Sequence, residues 1–377
     1  MKKLLWRIGR LRSVSDLVRN GTADKKERPP LAGQDGILHL GSRLTIRVQM
    51  ISEGTEKPLA CWRGKERHGR EIVDCLTVIF RSGGCSWARC RMCSYRHERY
   101  EPQSCEILSD HLRHQLAWVS QQFARETFRM VKIFTSGSFF DPVEVPPAFL
   151  SEVARTFRGK IVIAETRPEY VEHDAIRNFI DGIDDGSHRT PLYCAIGLET
   201  TNNRIREKCI NKGFTYADFL RAEAVAHAAG AGVKAYLLHK PLFLTEAEAV
   251  LDMKSSIAEV SAHTEIISMN PCTVQKKTEL EQYWRQGAYR PPYLWSVLAI
   301  LKEAPVHVSC DPLGGGQKRG AHNCGKCDDE LVKGICDYSL NADRDLIGAL
   351  LDTGCPCKAE WGYVLSHERP YCMPLTR

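Results

Sequence analysis

Three cysteines lie within nine residues in the stretch GGCSWARCRMCSY, at Cys85, Cys90 and Cys93. Thiols at such short spacing form disulfides, bind a zinc ion or bind an iron–sulfur cluster. The N-terminus does not read as an export signal, because three arginines interrupt the apolar run that a signal peptide needs. We therefore expect a cytoplasmic protein whose sixteen cysteines do not form disulfides. The two metal-binding alternatives remain.

The spacing of these three cysteines suits both alternatives. A structural zinc ion takes four ligands, and His97 is close enough in sequence to supply the fourth. A [4Fe–4S] cluster can be bound by three cysteines, which leaves one iron open for a chelating ligand. The glycines at 83 and 84 let the backbone pass closely around a bulky cluster.

A second group of cysteines lies in the last quarter of the chain. A C-x2-C pair and a C-x-C pair could together form a site of four thiolates: Cys324, Cys327, Cys355 and Cys357. We predict a structural zinc ion here, because a loop-rich tail has little apolar core and a metal would contribute folding energy. The alternatives are a second iron–sulfur cluster, free thiols, or replacement of one ligand by Cys310, His322 or Cys336.

The chain between these groups alternates two kinds of segment. Near-continuous apolar runs, typical of strands covered on both faces, occur at 75–80, 131–136, 160–166, 192–199, 233–240 and 264–270. Helical periodicity lies between them at 107–127, 215–230 and 245–260, and the last two open with capping-box pairs. Such alternation predicts a parallel sheet, either open or closed into a barrel. In both, functional side chains follow the carboxyl ends of the strands.

The composition sets the remaining limits. Hydrophobic residues make up 43% and charged residues 26%, as in ordinary globular proteins, and no apolar run is long enough to cross a membrane. The net charge of +6 permits a polyanionic partner without requiring one. We predict three regions: a basic helix and linker over 1–60, with a short strand at 44–51, an α/β domain over 61–304, and a cysteine-rich, metal-binding domain over 305–377.

A cysteine-rich loop directly after the first of six parallel strands resembles the arrangement in radical SAM enzymes, although most of those have three residues, and this chain four, between the first two cysteines. The segments 165–170 (ETRPEY), 195–215 and 237–241 (LLHKP) resemble the radical SAM enzymes near the Elongator catalytic subunit. A narrower resemblance, from about Trp62 to the CPCKAEW segment, is to the RaSEA family of archaeosine biosynthesis. It is carried by GGCSWARCRMCSY, IFTSGSFFDPVEVP, INKGFT, RPPYLWSV and KRGAHNCGKCD.

The resemblance implies a partial (β/α)6 TIM-like barrel with a small cysteine-rich C-terminal domain. It also implies that a [4Fe–4S] cluster and S-adenosylmethionine generate a radical, which attacks the lysine adduct of preQ0 at position 15 of tRNA. Cleavage of a C–N bond would leave archaeosine, so the chain would be a lyase. The implied partners are tRNA, the archaeosine synthase subunit that attaches the lysine, and a reductant.

Residue roles follow from the matched motifs. Cys85, Cys90 and Cys93 would bind three irons of the cluster. The strand-end residues that would bind S-adenosylmethionine are Ser136, Gly137, Ser138, Glu165, Arg167, Glu199 and Asn270. Within this set, Arg167 suits the methionyl carboxylate and Glu165 a ribose hydroxyl. Lys240 and Glu199 are the candidate catalytic residues, and Lys240 would also provide a cation for the carboxylate of the substrate lysine.

Three other functions are compatible with parts of the sequence. A tRNA methylthiolase should carry a second cysteine triad before the first, and only Cys61 and Cys75 precede Cys85. An Elongator-like enzyme should carry an acetyltransferase domain, for which the segment after residue 304 is too short. A zinc-dependent RNA-binding module without catalysis would bind zinc and no iron.

Overall fold

The computed structural model describes residues 36–40, 44–48 and 57–376, which form a central sheet with helices packed on it. The predicted N-terminal basic helix lies outside the described residues. The strands in the described parts are β1 Gly36–Leu40, β2 Leu44–Val48, β3 Ala60–His68, β4 Glu71–Ile79, β5 Met130–Phe134, β6 Ile161–Thr166, β7 Leu192–Glu199, β8 Gly232–His239, β9 Ile266–Pro271 and β10 Val308–Cys310. All six predicted apolar runs form strands, as β4 to β9.

Helices alternate with these strands. Those of seven or more residues are α1 Cys105–Gln122, α2 Pro147–Thr156, α3 His173–Ile183, α4 Tyr216–Ala228, α5 Glu246–Val260, α6 Glu279–Arg285, α7 Leu294–Glu303, α8 Asp328–Asn341, α9 Arg344–Leu351 and α10 Cys357–His367. The predicted capping boxes are present at the starts of α4 (Thr215 with Asp218) and α5 (Thr245 with Glu248). Each box satisfies backbone N–H groups that the first helical turn leaves free.

Eight strands form one sheet in the order β10-β9-β8-β7-β6-β5-β4-β3. All neighbouring pairs from β4 to β10 are parallel, and β3 pairs antiparallel with β4. The strands β1 and β2 form a separate antiparallel pair. Because the carboxyl ends of parallel strands lie at the same end of the sheet, the loops after β4 to β9 lie together.

Helix α8 connects the two edges of the sheet. The Ser339 hydroxyl accepts a hydrogen bond from the Cys310 amide at 2.8 Å, which fixes α8 on the edge strand β10. At the opposite edge, Arg67 of β3 donates to the carbonyl oxygen of Leu340 at 3.1 Å. The sheet is therefore a curved half-barrel in which α8 bridges the edge strands, as predicted for the fold class.

The two faces of the sheet have different partners. The outer face packs on the helices through fully buried aliphatic side chains, such as Val78, Ile133 and Val162. The inner face carries a smaller apolar cluster that includes Met130 and Ile163. Burial on both faces explains why these strands read as continuous apolar runs.

The segment after residue 304 contributes a strand to the same sheet, since Val308 to Cys310 pair with β9. The domain boundary that we expect near residue 304 stays a prediction. None of the helices in the described part of the chain is long and apolar enough to cross a membrane.

Candidate active site and metal centre

The loop with the first three cysteines is held by segments that follow other strands. The Arg91 amide donates to the Ile210 carbonyl at 2.9 Å, and the Leu280 amide donates to the Arg91 carbonyl at 3.2 Å. The Gln275 side chain accepts from the Ser94 amide at 2.7 Å. The three cysteines of the loop are half-buried and form no disulfide with any residue that the structure describes. The loop is thus fixed by contacts with other segments, and its three cysteines remain partly exposed.

The four residues between Cys85 and Cys90 form a turn built around Trp87. The Trp87 indole donates to the Asn211 carbonyl at 2.7 Å. Its ring occupies the space where a Cβ at Gly213 would lie, about 2.5 Å from Trp87 Cε2. Ala88 adopts a left-handed backbone conformation with φ of 49°. The additional residue in this loop is therefore taken up by a turn that docks on the segment after β7.

The geometry of these thiols separates the two metal-binding alternatives. Ligand atoms of one tetrahedral zinc ion lie about 3.8 Å apart, because each Zn–S bond is about 2.3 Å. In the part of the chain that the structure describes, one group of Cys, His and acidic residues gathers its ligand atoms within 4.8 Å, and that group is the C-terminal one. His97 is exposed and does not join the three cysteines. Wider separation suits thiolates that bind different irons.

A carboxylate that the sequence analysis missed organises the neighbouring strand ends. Glu144 is buried, with 1% exposure, and accepts hydrogen bonds from the Ser82 hydroxyl at 2.6 Å and the Gly137 amide at 2.7 Å. It also accepts from the Ser138 amide at 2.5 Å. A Cβ at Gly137 would lie 2.6 Å from the Cα of Cys85. Glu144 therefore holds the loop after β5 directly against the first cysteine.

Three of the residues predicted to bind S-adenosylmethionine carry buried polar atoms that have no hydrogen-bond partner in the described structure. They are Ser136 Oγ, Arg167 Nη2 and Asn270 Oδ1. They follow or end β5, β6 and β9, so they lie at one edge of the sheet. Buried polar groups are normally satisfied, so an unsatisfied one requires a partner, and a bound ligand would provide one. A zwitterionic methionyl group and a ribose offer complementary atoms.

The other two nitrogen atoms of the Arg167 guanidinium form hydrogen bonds. Its Nη1 donates to the Lys212 carbonyl at 3.0 Å and its Nε donates to Glu169 at 2.5 Å. The guanidinium lies 5.5 Å from the Trp87 ring centroid and 5.3 Å from that of Phe214. The side chain is 7% exposed. Its free donor is therefore held in one place, beside the turn of the cysteine loop.

Glu199, a candidate catalytic residue, lies at an irregularity of β7 with φ of 70°. Its carboxylate accepts a hydrogen bond from the ammonium group of Lys212 at 2.7 Å, and both side chains are largely buried. Burial alone would lower the pKa of Lys212, but Glu199 raises it above its usual value. Burial raises the pKa of the Cys90 thiol, the charge of Lys212 lowers it, and the charge of Glu199 raises it. The pair thus stands next to the cysteine loop.

Lys240, the other candidate catalytic residue, does not lie at the mouth as a free cation. Its ammonium group donates to Glu246 at 2.6 Å, and the two side chains are 3% and 0% exposed. Burial alone would raise the pKa of Glu246, but Lys240 and its other cationic neighbours lower it to about 2. Glu246 also accepts from the Tyr293 amide and the Ser296 hydroxyl. Lys240 is therefore neutralised inside the protein.

The four C-terminal cysteines come together as the sequence predicts. The sulfur of Cys355 lies 3.6 Å from that of Cys324 and 3.3 Å from that of Cys357, which is 3.7 Å from that of Cys327. These separations are close to those between the ligands of a tetrahedral zinc ion. Cys310 lies in β10, and Cys310, His322 and Cys336 do not belong to the group.

Two further contacts suit thiolates in this group. The Trp295 indole donates to Cys357 at 3.3 Å, and the Asn323 amide group donates to Cys327 at 3.5 Å. Although slight burial opposes it, hydrogen bonds from the backbone of Lys326 and from neighbouring thiols lower the pKa of Cys324 to about 7. Burial, together with neighbouring thiols, raises the pKa of Cys327 and raises that of Cys357 to about 11, so a bound metal ion would be needed to hold these two as thiolates. Zinc remains our prediction for this site.

The sequence of this chain is similar to proteins of named function. It is 38% identical to the archaeosine synthase subunit beta of Methanosarcina acetivorans over 85% of this chain and 94% of the relative. It is 32% identical to the protein of the same name from Thermococcus kodakarensis, over 81% and 96%. No family model matches the chain.

Solved structures are more distant. The archaeal Elp3 of Methanocaldococcus infernus, with an N-terminal deletion, has a TM-score of 0.41 and 15% identity, over 59% of this chain and 56% of that one. The queuine lyase of Clostridium spiroforme, bound to SAM and queuine, has a TM-score of 0.40 and 16% identity, over 59% and 86%.

The contact between Gly137 and Cys85 can be tested with one methyl group. Gly137→Ala places a Cβ inside the contact distance of both the Glu144 carboxylate and Cys85. It should displace the cysteine loop and the carboxylate that holds the neighbouring loop, so we expect most of the iron in the reconstituted protein to be lost. Gly64→Ala is the matched control, because a Cβ there meets nothing within 4 Å. Iron content and visible absorbance measure the effect. Equal iron in both variants would contradict the close approach.

The C-terminal group can be tested by removing one thiol. The wild-type chain should contain about one zinc ion. Cys324→Ser should reduce the zinc content to near zero and lower the unfolding temperature, because the metal contributes folding energy. Cys336→Ser, an exposed cysteine outside the group, is the control. Elemental analysis and a thermal melt are the measurements. About eight irons per chain without zinc would instead indicate a second iron–sulfur cluster.

Proposed function

The chain belongs to the archaeosine synthase subunit beta family, and from that premise we propose that it is a radical SAM lyase acting on tRNA. The proposed substrate is the lysine adduct of preQ0 at position 15 of tRNA, and the product is archaeosine, formed by C–N bond cleavage. The observation that carries the proposal is the set of unsatisfied polar atoms of Ser136, Arg167 and Asn270 at the same ends of the strands as a loop of three partly buried cysteines.

The thiols of Cys85, Cys90 and Cys93 would hold a [4Fe–4S] cluster, which with S-adenosylmethionine supplies a 5′-deoxyadenosyl radical when both are bound. The protein's own part is to bind and orient. The segment of Ser136, Gly137 and Ser138 offers a hydroxyl and a close backbone approach for the methionyl amino group. The free guanidinium donor of Arg167 is placed for the methionyl carboxylate.

Other strand-end residues complete the proposed binding site. The carboxylate of Glu165 suits a ribose hydroxyl, and the free carbonyl oxygen of the Asn270 side chain can accept a further hydrogen bond. The Glu199–Lys212 ion pair lies beside the cysteine loop and would face the bound cofactor or substrate. Enclosure of the strand ends by protein would keep water away from a reactive radical.

The partners in this proposal follow from the reaction. The substrate must already carry lysine, so a second archaeosine synthase subunit has to attach it, in agreement with the name of the relatives as beta subunits. One electron must enter for each S-adenosylmethionine cleaved, so a cellular reductant is required. Both partners are part of the proposal.

The reaction is tested by turnover. The anaerobically reconstituted chain, supplied with dithionite, S-adenosylmethionine and lysine-modified tRNA, should yield archaeosine and 5′-deoxyadenosine. Cys90→Ala should abolish both products together with the visible absorbance of the cluster, whereas Cys105→Ala, an exposed cysteine on α1, should retain them. Nucleoside analysis by mass spectrometry is the measurement. A colourless protein that binds only zinc would contradict the proposed enzymatic function.

The role of Arg167 predicts a loss of cofactor affinity. Hydrogen bonds to charged groups are worth about 1.5–3 kcal/mol, so Arg167→Gln should raise the dissociation constant for S-adenosylmethionine about 10- to 150-fold. Arg177→Gln, which removes an exposed ion pair with Asp181 on α3, should leave it unchanged. Calorimetric titration of the reconstituted protein provides both constants. Unchanged affinity in Arg167→Gln would place the methionyl carboxylate elsewhere.

A further inference from the structure

A surface of aromatic and cationic side chains lies beside the first cysteine loop. It is formed by α6, by the loops after β8 and β9, and by a loop of the C-terminal segment. Its members, which we call the aromatic–cationic surface, are Phe243, Lys276, Lys277, Tyr283, Trp284, Arg285, Lys318 and Arg319. Its residues lie at the edge of the sheet where the carboxyl ends of β8 and β9 meet the cysteine loop.

The aromatic rings of this surface are only partly covered. Phe243 is 42% exposed, and its ring stands perpendicular to that of Tyr283 with centroids 5.2 Å apart. Trp284 is partly exposed, and the guanidinium of Arg319 lies 4.5 Å from its ring centroid. Large exposed apolar side chains cost solvation free energy, and grouped aromatics on a surface indicate a binding site.

Charge is distributed unevenly over this surface. The two acidic residues of α6 that border it are already paired, Glu279 with Arg91 and Glu281 with Arg319 and Arg285, while Asp329 lies beside Gly316 at the margin of the surface. Three exposed lysines make no ion pair with any residue that the structure describes, namely Lys276, Lys277 and Lys318. The surface therefore presents uncompensated positive charge around its aromatic rings, which suits a polyanion with flat rings.

The surface is also attached directly to the cysteine loop. The amide of Leu280 in α6 donates to the carbonyl of Arg91, between Cys90 and Cys93, at 3.2 Å. The Arg91 guanidinium donates to both carboxylate oxygens of Glu279, at 2.6 and 2.7 Å. Tyr283 and Trp284 pack against the same apolar cluster as the two cysteines. Whatever binds to these rings is therefore held next to the proposed iron–sulfur cluster.

We propose that the aromatic–cationic surface binds single-stranded nucleotides of the tRNA that flank the base to be modified. Phe243 and Tyr283 stack on the bases, and the lysines contact the phosphates. This inference rests on the proposed function for its partner. Aromatic stacking with cations along the backbone is the general mode by which proteins hold unpaired RNA, because every base has a flat face and every nucleotide a charge.

Binding and its salt dependence test the two halves of the proposal separately. Each stacked base contributes about 1–3 kcal/mol, so Phe243→Ala and Tyr283→Ala should each raise the dissociation constant for transcribed tRNA about 5- to 150-fold. Phe243→Trp keeps a stacking face and should restore the affinity. A Lys276→Gln/Lys277→Gln double variant should flatten the plot of log affinity against log salt by about 0.7 for each phosphate that a lysine no longer neutralises.

A matched control lies at the opposite end of the strands, where their amino ends meet. Arg155 and Arg158 are exposed at the end of α2, close to the start of β6, and their double substitution by glutamine removes the same charge as the lysine variant. It should leave tRNA binding unchanged. Iron content and a thermal melt establish that each variant is folded, and cleavage of S-adenosylmethionine by dithionite without tRNA should stay at the wild-type rate in the Phe243 and lysine variants.

The outcomes are distinct. Wild-type tRNA affinity and salt slope in the Phe243 and lysine variants would overturn the proposal, as would the absence of tRNA binding by the wild-type chain. Weaker association with the lysine-attaching subunit at unchanged tRNA affinity would also overturn it and identify the surface as a protein interface. Weakened tRNA binding in these variants of a chain that binds tRNA but forms no archaeosine would support the surface and reject only the proposed reaction.

Discussion

One buried carboxylate holds the candidate active site together. Glu144 accepts hydrogen bonds from the side chain of Ser82, after β4, and from two backbone amides after β5. Burying a carboxylate at 1% exposure without hydrogen-bond partners would be strongly unfavourable. The three donors offset that cost. These hydrogen bonds hold the proposed methionyl-binding segment against the first cysteine loop. The two backbones are so close that only a glycine fits at position 137.

A second buried carboxylate holds together the elements on the other side of the half-barrel. Glu246, in the first turn of α5, binds the ammonium of Lys240 at the end of β8 and two donors at the start of α7. Helix α7 carries Trp295, whose indole donates to Cys357 in the C-terminal cysteine group. The end of β8 and the predicted zinc site are therefore linked through one helix. The pairing with Glu246 explains the burial of Lys240, and the catalytic role of this lysine stays a prediction.

The sequence was sufficient for what depends on local pattern. Six strands were predictable because burial on both faces demands continuous apolar runs, and both cysteine groups were predictable because metal ligands cluster at short spacing. Edge strand β3 was missed, since only the first three of its nine residues are buried and the strand is identified by its pairing with β4. The hydrogen bonds of Glu144 and Glu246 were missed because their partners lie up to 62 residues away in sequence. The burial of Lys240 was missed with them, because it depends on where Glu246 is held.

The C-terminal segment is positioned by both its thiols and its backbone. The Val274 amide, after β9, donates to the Arg319 carbonyl at 2.8 Å, and the Arg319 guanidinium donates back to the Val274 carbonyl at 3.2 Å. Five residues later in sequence, Cys324 begins the cysteine group. A metal ion there would order the loop that carries Arg319, and hence the cation against Trp284. The predicted zinc ion would then act on substrate binding without touching the substrate, since the loop it folds forms one side of the surface next to the iron–sulfur site.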